Sequence, residues 1–180
     1  MFTHFTDPKV DNFFKRFIRD YLHYNDLIFC IAGKIIFRLQ QDALRIQNNN
    51  DNSLSSINNL DIGYGYVSMH IRRGDFQYND LKPTSKEIYE TIINDNILKT
   101  NDIIYIATDE KNKSFFNYFV ENQQNNYTIK FLDDYWDDND EYANIDPNYM
   151  GMIDTIIASY GREFIGTYCS TFTGYINRLR

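Results

Sequence analysis

From residue 66 onward, short apolar runs of strand length alternate with stretches of helical periodicity, and this alternation constrains the fold of the 180-residue chain more than any other feature. Residues 66–71, 103–107, 128–132 and 164–166 read as strands, and residues 84–98, 111–121, 150–160 and 171–180 as helices. Strands joined through helices run parallel, because a tight turn can only reverse the chain. The order therefore predicts an α/β, Rossmann-like, mostly parallel sheet, doubly wound, with helices on both faces. Local chemistry agrees: Thr84-Ser85-Lys86-Glu87 has the spacing of a capping box directly after Pro83, and Gly161 stands where a glycine cap would close the third helix.

Ahead of this lies an amino-terminal helical segment. Phe13, Phe14, Phe17 and Ile18, then Ile28, Ile31, Ile35 and Leu39, recur at helical spacing, which predicts two helices parted near Asn25. The run Asn48-Asn49-Asn50-Asp51-Asn52-Ser53 is polar and of low complexity, as a loop or an unstructured insertion would be. The chain thus divides into a helical segment at 1–47, a low-complexity loop at 48–60 and a Rossmann-like domain at 61–180. The length fits one such domain and leaves no room for a second complete one.

The net charge of −7 argues against general affinity for nucleic acid or an anionic membrane, although two local arginines can hold one small anion. The longest apolar run, residues 27–37, is too short to span a bilayer and contains Lys34, and no leader-like segment opens the chain, so it reads as soluble and untargeted. Cys30 and Cys169 lack metal-ligand or redox spacing and read as two buried thiols. The sequons at Asn112 and Asn126 are expected by chance in so asparagine-rich a chain.

Three stretches can carry chemistry. His70-Ile71-Arg72-Arg73-Gly74-Asp75-Phe76 leaves the carboxyl end of the first strand, where open α/β sheets hold ligands, and a guanidinium there can grip a diphosphate with a forked pair of hydrogen bonds. His70 itself fits either a structural hydrogen bond or a site role. Gly166-Thr167-Tyr168-Cys169-Ser170-Thr171-Phe172-Thr173-Gly174 joins the last strand to the last helix. Ser170 and Thr171 can serve there as an ordinary N-cap or, with the free amides, as a phosphate cradle. Tyr105-Ile106-Ala107-Thr108-Asp109-Glu110 ends a strand in two carboxylates, and Asp109 suits a helix cap near Lys111 as well as a ligand contact. Asp138 and Asp140 have Asp-x-Asp spacing but sit in a charge run typical of a solvated loop, and His4, His23 and His70 show no metal-ligand spacing.

Together, His70 to Phe76, Ile106-Ala107-Thr108-Asp109-Glu110, Gly151-Met152-Ile153-Asp154, Gly161-Arg162-Glu163-Phe164-Ile165-Gly166-Thr167 and Ser170-Thr171-Phe172-Thr173-Gly174-Tyr175-Ile176-Asn177-Arg178-Leu179-Arg180 resemble, in order, the GDP-fucose protein O-fucosyltransferase family. The form is that of its plant and algal branch. The similarity runs from about residue 66 to 180, and residues 11–39 resemble the family only loosely. The resemblance implies the carboxy-terminal, donor-binding half of a GT-B glycosyltransferase made of two Rossmann units. It implies GDP-fucose as donor, no metal or other cofactor, and inverting transfer to a protein or glycan hydroxyl. On the same ground Arg72 corresponds to the arginine that holds the β-phosphate and the departing oxygen, and is the implied catalytic residue. His70, Asp154, Ser170, Thr171 and Phe172 correspond to donor-binding positions, and Asp154 to the acidic residue at the nucleoside. Asp75 is expected to orient Arg72 or the turn.

The amino-terminal helices cannot form the second Rossmann unit that the family uses for its acceptor. The chain is accordingly expected to be a fragment, a partner to a second chain supplying the acceptor half, or a degenerate copy that binds a GDP-sugar without turnover. The resemblance implies the secretory lumen if a longer chain carries the targeting signal.

Overall fold

A computed structural model describes residues 6–21, 24–48, 65–122, 126–136 and 144–180. The loop expected at 48–60 and the pair Asp138 and Asp140 fall, save Asn48, outside the described residues. Helices α1 (Pro8–Tyr21) and α2 (Asp26–Asn48) precede four strands, β1 (Val67–Ile71), β2 (Ile103–Thr108), β3 (Thr128–Lys130) and β4 (Phe164–Gly166). Helix α3 (Ser85–Asn94) links β1 to β2, α4 (Asn117–Glu121) links β2 to β3, α5 (Met150–Ser159) links β3 to β4, and α6 (Thr171–Leu179) follows β4. All strand pairs are parallel, in the order β3-β2-β1-β4. The doubly wound α/β architecture is therefore as the alternation predicts.

The pleat of β1 divides the core in two. Val67, Met69 and Ile71 join Ile104, Ile106, Tyr89, Ile92, Phe116 and Phe119 on the face covered by α3 and α4. Tyr66, with Ile103, Tyr105 and Ala107, joins the buried side chains of α2, α5 and α6 on the other. Burial on both faces explains why β1 and β2 read as near-continuous apolar runs. On the α5 face, Ser68 is buried and its hydroxyl donates to the carbonyl of Ala158 at 2.7 Å, so the polar atom in the core is satisfied and ties β1 to α5. Ile28, Ile31, Ile35 and Leu39 of α2 are all buried in that layer. Phe13 and Phe17 of α1, by contrast, are exposed and stack with each other, since α2 and α5 already cover the sheet and α1 meets α6.

Helix α3 begins on its capping box. Thr84 Oγ1 accepts from Glu87 N at 3.3 Å, and a Glu87 carboxylate oxygen accepts from Thr84 N at 2.7 Å. It ends at Asn94, short of residue 98, where Asn96 turns left-handed at φ 53°. The helix expected over 111–121 is instead a 3₁₀ turn, Lys113–Phe116, running into α4, because Asn112 Oδ1 accepts from Ser114 N and fixes a tight start. Strand β3 stops at Lys130, since Asp134 accepts from Phe131 N and winds Leu132–Tyr135 into another 3₁₀ turn. Gly161 is no left-handed cap. None of the described glycines has positive φ, and a Cβ at Gly161 would lie 2.2 Å from Ser68 Oγ, so its role is close approach to β1. Both cysteines are exposed rather than buried, Cys30 on the outer face of α2 and Cys169 in the turn before α6.

At the amino ends of the strands, Arg162 grips Asp102 through two hydrogen bonds of 3.0 and 2.7 Å, and the Asp102 side chain is completely buried. Arg180 donates to the carbonyls of Ser159 and Gly161 at 3.1 and 2.6 Å, closing the end of α5. Among the described residues, no helix is long and apolar enough to cross a membrane.

Candidate functional site

The strand order creates one topological switch point. From β1 the chain moves through α3 toward β2, whereas β4 lies on the other side of β1 and continues into α6 on the opposite face. The loops leaving β1 and β4 therefore diverge, and a crevice opens outside their carboxyl ends, the usual ligand position in open α/β sheets. Arg72 stands on one lip of it and residues 167–170 form the other.

Hydrogen bonds across the last rung hold the two lips in register. Thr167 N and Thr167 Oγ1 both donate to the carbonyl of His70, each at 3.0 Å, and Arg72 N donates to Thr167 Oγ1 at 2.9 Å. A side-chain hydroxyl thus takes over where the backbone ladder ends at His70 and Gly166.

The adjacent arginines have different fates. Arg73 is spent on structure: Nε donates to Glu110 at 3.0 Å, Nη1 donates to the carbonyl of Pro83 at 2.9 Å, and the guanidinium lies 3.9 Å over the Phe115 ring. Backbone donation from Asn112 and the contact with Arg73 hold the Glu110 carboxyl below its usual range. Arg72 stays one-third exposed at the crevice, paired with Asp75 and with Asp109 Oδ2 at 2.9 Å. Asp109 does more than meet that charge. Its Oδ1 accepts from Arg73 N at 2.7 Å and its Oδ2 from Gly74 N at 2.9 Å, so one carboxylate braces the turn and orients the guanidinium above it. It caps this turn, and not the segment near Lys111.

His70 points to the α5–α6 face. Its ring stacks on Phe172 at 4.8 Å between centroids, and Nδ1 shares a 2.7 Å hydrogen bond with Thr173 Oγ1. Gly166 permits this pairing, because a Cβ there would come within 2.2 Å of the Thr173 side chain. Burial pushes the His70 pKa down to about 4, the Arg72 charge adds to the fall and Asp109 opposes it. The imidazole is therefore neutral at neutral pH and acts by hydrogen bonding and stacking.

Asp154 lies on the same face, one turn of α5 beyond Gly151, which itself abuts the Phe172 ring. Tyr105 OH donates to its carboxylate. Burial raises the carboxyl to about 7, and the Tyr105 hydrogen bond only partly offsets that. Ser170 occupies the N-cap of α6 but its side chain makes no capping hydrogen bond, and Cys169 before it is left-handed at φ 59°. The first-turn amides of α6, around Thr171 and Phe172, have no acceptors within the helix.

Folding thus gathers His70, Arg72, Asp75, Asp109, Ser170, Thr171 and Phe172 near the carboxyl ends of the strands, with Asp154 lower on the α5 face, against Tyr105 in the middle of β2. Thr167, Thr173 and Tyr105 join them without having been singled out. Both threonines lie within the hydroxyl-rich stretch at 166–174, but no local spacing tells which hydroxyl meets β1.

A four-stranded parallel sheet with helices on both faces and a switch point beside β1 is the open, Rossmann-like α/β architecture. The family model described as GDP-fucose protein O-fucosyltransferase matches residues 1–180, so the match takes in the amino-terminal helices as well as the motifs. The chain belongs to this family and is fucosyltransferase-like. No curated protein matches it in a sequence search.

Proposed function

We propose that the crevice binds GDP-fucose, with Arg72 on the diphosphate, and that the bound donor serves inverting, metal-independent transfer of fucose to a protein or glycan hydroxyl. The observation that carries the reading is the contrast between the two arginines: Arg73 is locked among Glu110, Pro83 and Phe115, while Arg72, paired with Asp75 and Asp109, keeps a third of its side chain exposed at the crevice. The α6 amides supply further donors on the opposite lip, and the Ser170 hydroxyl is not committed to capping.

In such a transfer the acceptor oxygen bonds to the anomeric carbon as the bond from that carbon to the β-phosphate oxygen breaks, and the acceptor hydroxyl loses its proton. The departing GDP gains negative charge along this path. A fixed cation and preoriented amides therefore stabilise the transition state more than the ground state. Phe172, backed by the buried His70 ring on which it stacks, offers an uncharged wall on the α6 side, and Asp154, which also accepts from Tyr105, is the contact proposed for the nucleoside.

A second reading, a GDP-sugar-binding module without turnover, is favoured by the single four-stranded sheet among the described residues. Calorimetry with GDP, GDP-fucose and UDP-sugars, run beside a GDP-release assay with and without chelator, separates the readings. Selective binding of guanine nucleotides with chelator-resistant GDP release supports the transferase. Binding without release supports the module, and loss of release under chelator removes the metal-independent mechanism. Indifference between GDP and UDP-sugars would falsify both.

A further inference from the structure

The two edges of the sheet are finished differently. β3 ends on a charge, Lys130, and bends at once into the 3₁₀ turn held by Asp134, an ending that discourages a further strand. β4, Phe164-Ile165-Gly166, has no charged residue and no proline, and no strand lies beyond it among the described residues. Its inner side is used: the carbonyl of Glu163 accepts from Ser68 N at 2.9 Å, and Thr167 N donates to the carbonyl of His70 at 3.0 Å. Backbone groups alternate in direction along a strand, so the N–H and C=O of Phe164 and Gly166 point away from β1. No hydrogen bond among the described residues closes on them. Ile165 is only half-buried, because on the α3 face a cavity of about 420 Å³ lies between it and Ile88 and Thr91 of α3.

An open strand is a template for another strand, and the groups on this one are complementary to themselves. When a second copy lies antiparallel with Ile165 opposite Ile165, Phe164 of each copy faces Gly166 of the other as a hydrogen-bonded pair. Every outward N–H then meets an outward carbonyl. Shifting the register by two residues sets one of these groups against a residue outside β4. On the α3 face the two Ile165 side chains form the close, non-hydrogen-bonded pair, each covering the side that its own chain leaves open. On the other face Phe164 flanks the bare backbone of Gly166.

Electrostatics at the ends of the strand fit the same register. It brings Tyr168 of one copy, 78 % exposed, beside position 162 of the other. There the Arg180 guanidinium donates to the carbonyls of Ser159, Gly161 and Arg162 and meets no carboxylate among the described residues. An exposed aromatic ring complements such a cation. The antiparallel setting points the two crevices in opposite directions, so each copy keeps its own.

We infer that two copies of this chain join through β4 into one continuous sheet, with the two-fold axis at Ile165, the isologous contact of closed dimers. Sedimentation equilibrium on the full chain under reductant tests the association, and the mass is expected to rise with concentration from 21.5 kDa toward twice that value. Tyr168→Arg, which sets like charges together, should raise the dimer Kd about fivefold or more. The register is read by cross-linking with Cys30 and Cys169 changed to serine and folding checked by thermal melts. Ile165→Cys should give a disulfide-linked dimer in a glutathione couple, because the pair on the axis has Cα atoms about 4.5 Å apart. Glu163→Cys, opposite Thr167 and not itself, should stay monomeric on a denaturing gel. A monomeric mass at every concentration overturns the inference, as does equal cross-linking at both positions. So does a dimer that survives Tyr168→Arg and is lost in Phe13→Glu, since that result assigns the contact to the exposed face of α1.

Discussion

Arg72 and Asp109 are joined by a 2.9 Å contact in which the carboxylate also holds the backbone on which the guanidinium stands. The pair couples the tip of β1 to the end of β2. It makes the position of Arg72 a property of the sheet as well as of its own loop.

Substituting the two arginines should therefore give opposite signatures. Arg72→Ala is expected to weaken GDP binding by about tenfold or more with little change in melting temperature, as loss of a charged hydrogen bond to ligand would. Arg73→Ala should cost about 2 kcal/mol of stability through its carboxylate, carbonyl and ring contacts, and spare GDP affinity in the folded fraction. Isothermal titration and denaturant melts on both variants decide the matter, and equal effects on binding would count against Arg72 as the phosphate ligand.

Asp75 is 82 % exposed and competes with any anion for Arg72. Asp75→Asn should tighten GDP binding about two- to fivefold at low salt, a gain that fades as added salt screens the pair. Weaker binding in the variant would instead make Asp75 a ligand contact or a required brace.

Asp154 and His70 should leave opposing marks on the pH dependence of stability. Asp154, raised by burial from 3.8 to about 7, takes up a proton on folding between those limits, so its contribution falls as pH rises. His70, lowered from 6.5 to about 4, gives one up on folding, so its contribution rises with pH over nearly the same window. Asp154→Asn removes the first and keeps the second. Relative to the parent, its stability should climb by up to about 1.4 kcal/mol per pH unit between pH 4 and 6.5. Urea unfolding across that range checks it, and parallel profiles would exclude a raised Asp154.

Asp102 and Arg162 form a buried pair at the end of the sheet away from the crevice. Arg162→Ala leaves the buried Asp102 carboxylate with the Lys99 amide but no counter-charge, and should cost about 3 kcal/mol, read as a lower melting temperature. GDP affinity measured below that transition should remain near the parent value, and a large loss of affinity would show that the two ends of the sheet are coupled.

The capping box at Thr84 and Glu87 and the helical stripe of α2 were legible because each depends on residues a few positions apart. The same local reading overran at β3 and at residues 111–121, where the side chains of Asp134 and Asn112 hydrogen-bond to nearby amides and wind the chain into 3₁₀ turns. It also buried both cysteines, although Cys30 faces outward from α2 and Cys169 sits in an exposed turn. Arg72 and His70 were visible as candidates from their place after an apolar strand, but Thr173, 103 residues from His70, was not.

By itself the sequence determined the order and kind of the elements and the family that the motifs resemble. The elements follow from periodicity and from residues close along the chain, and the family from the resemblance of its motifs. Only the tertiary structure decided that β4 lies beside β1, that Arg73 is locked while Arg72 is offered, and that Asp109 and Thr167 hold the site together. Apart from the Arg73–Pro83 bond, those outcomes depend on pairing between segments 35 to 97 residues apart, whose geometry no local spacing encodes.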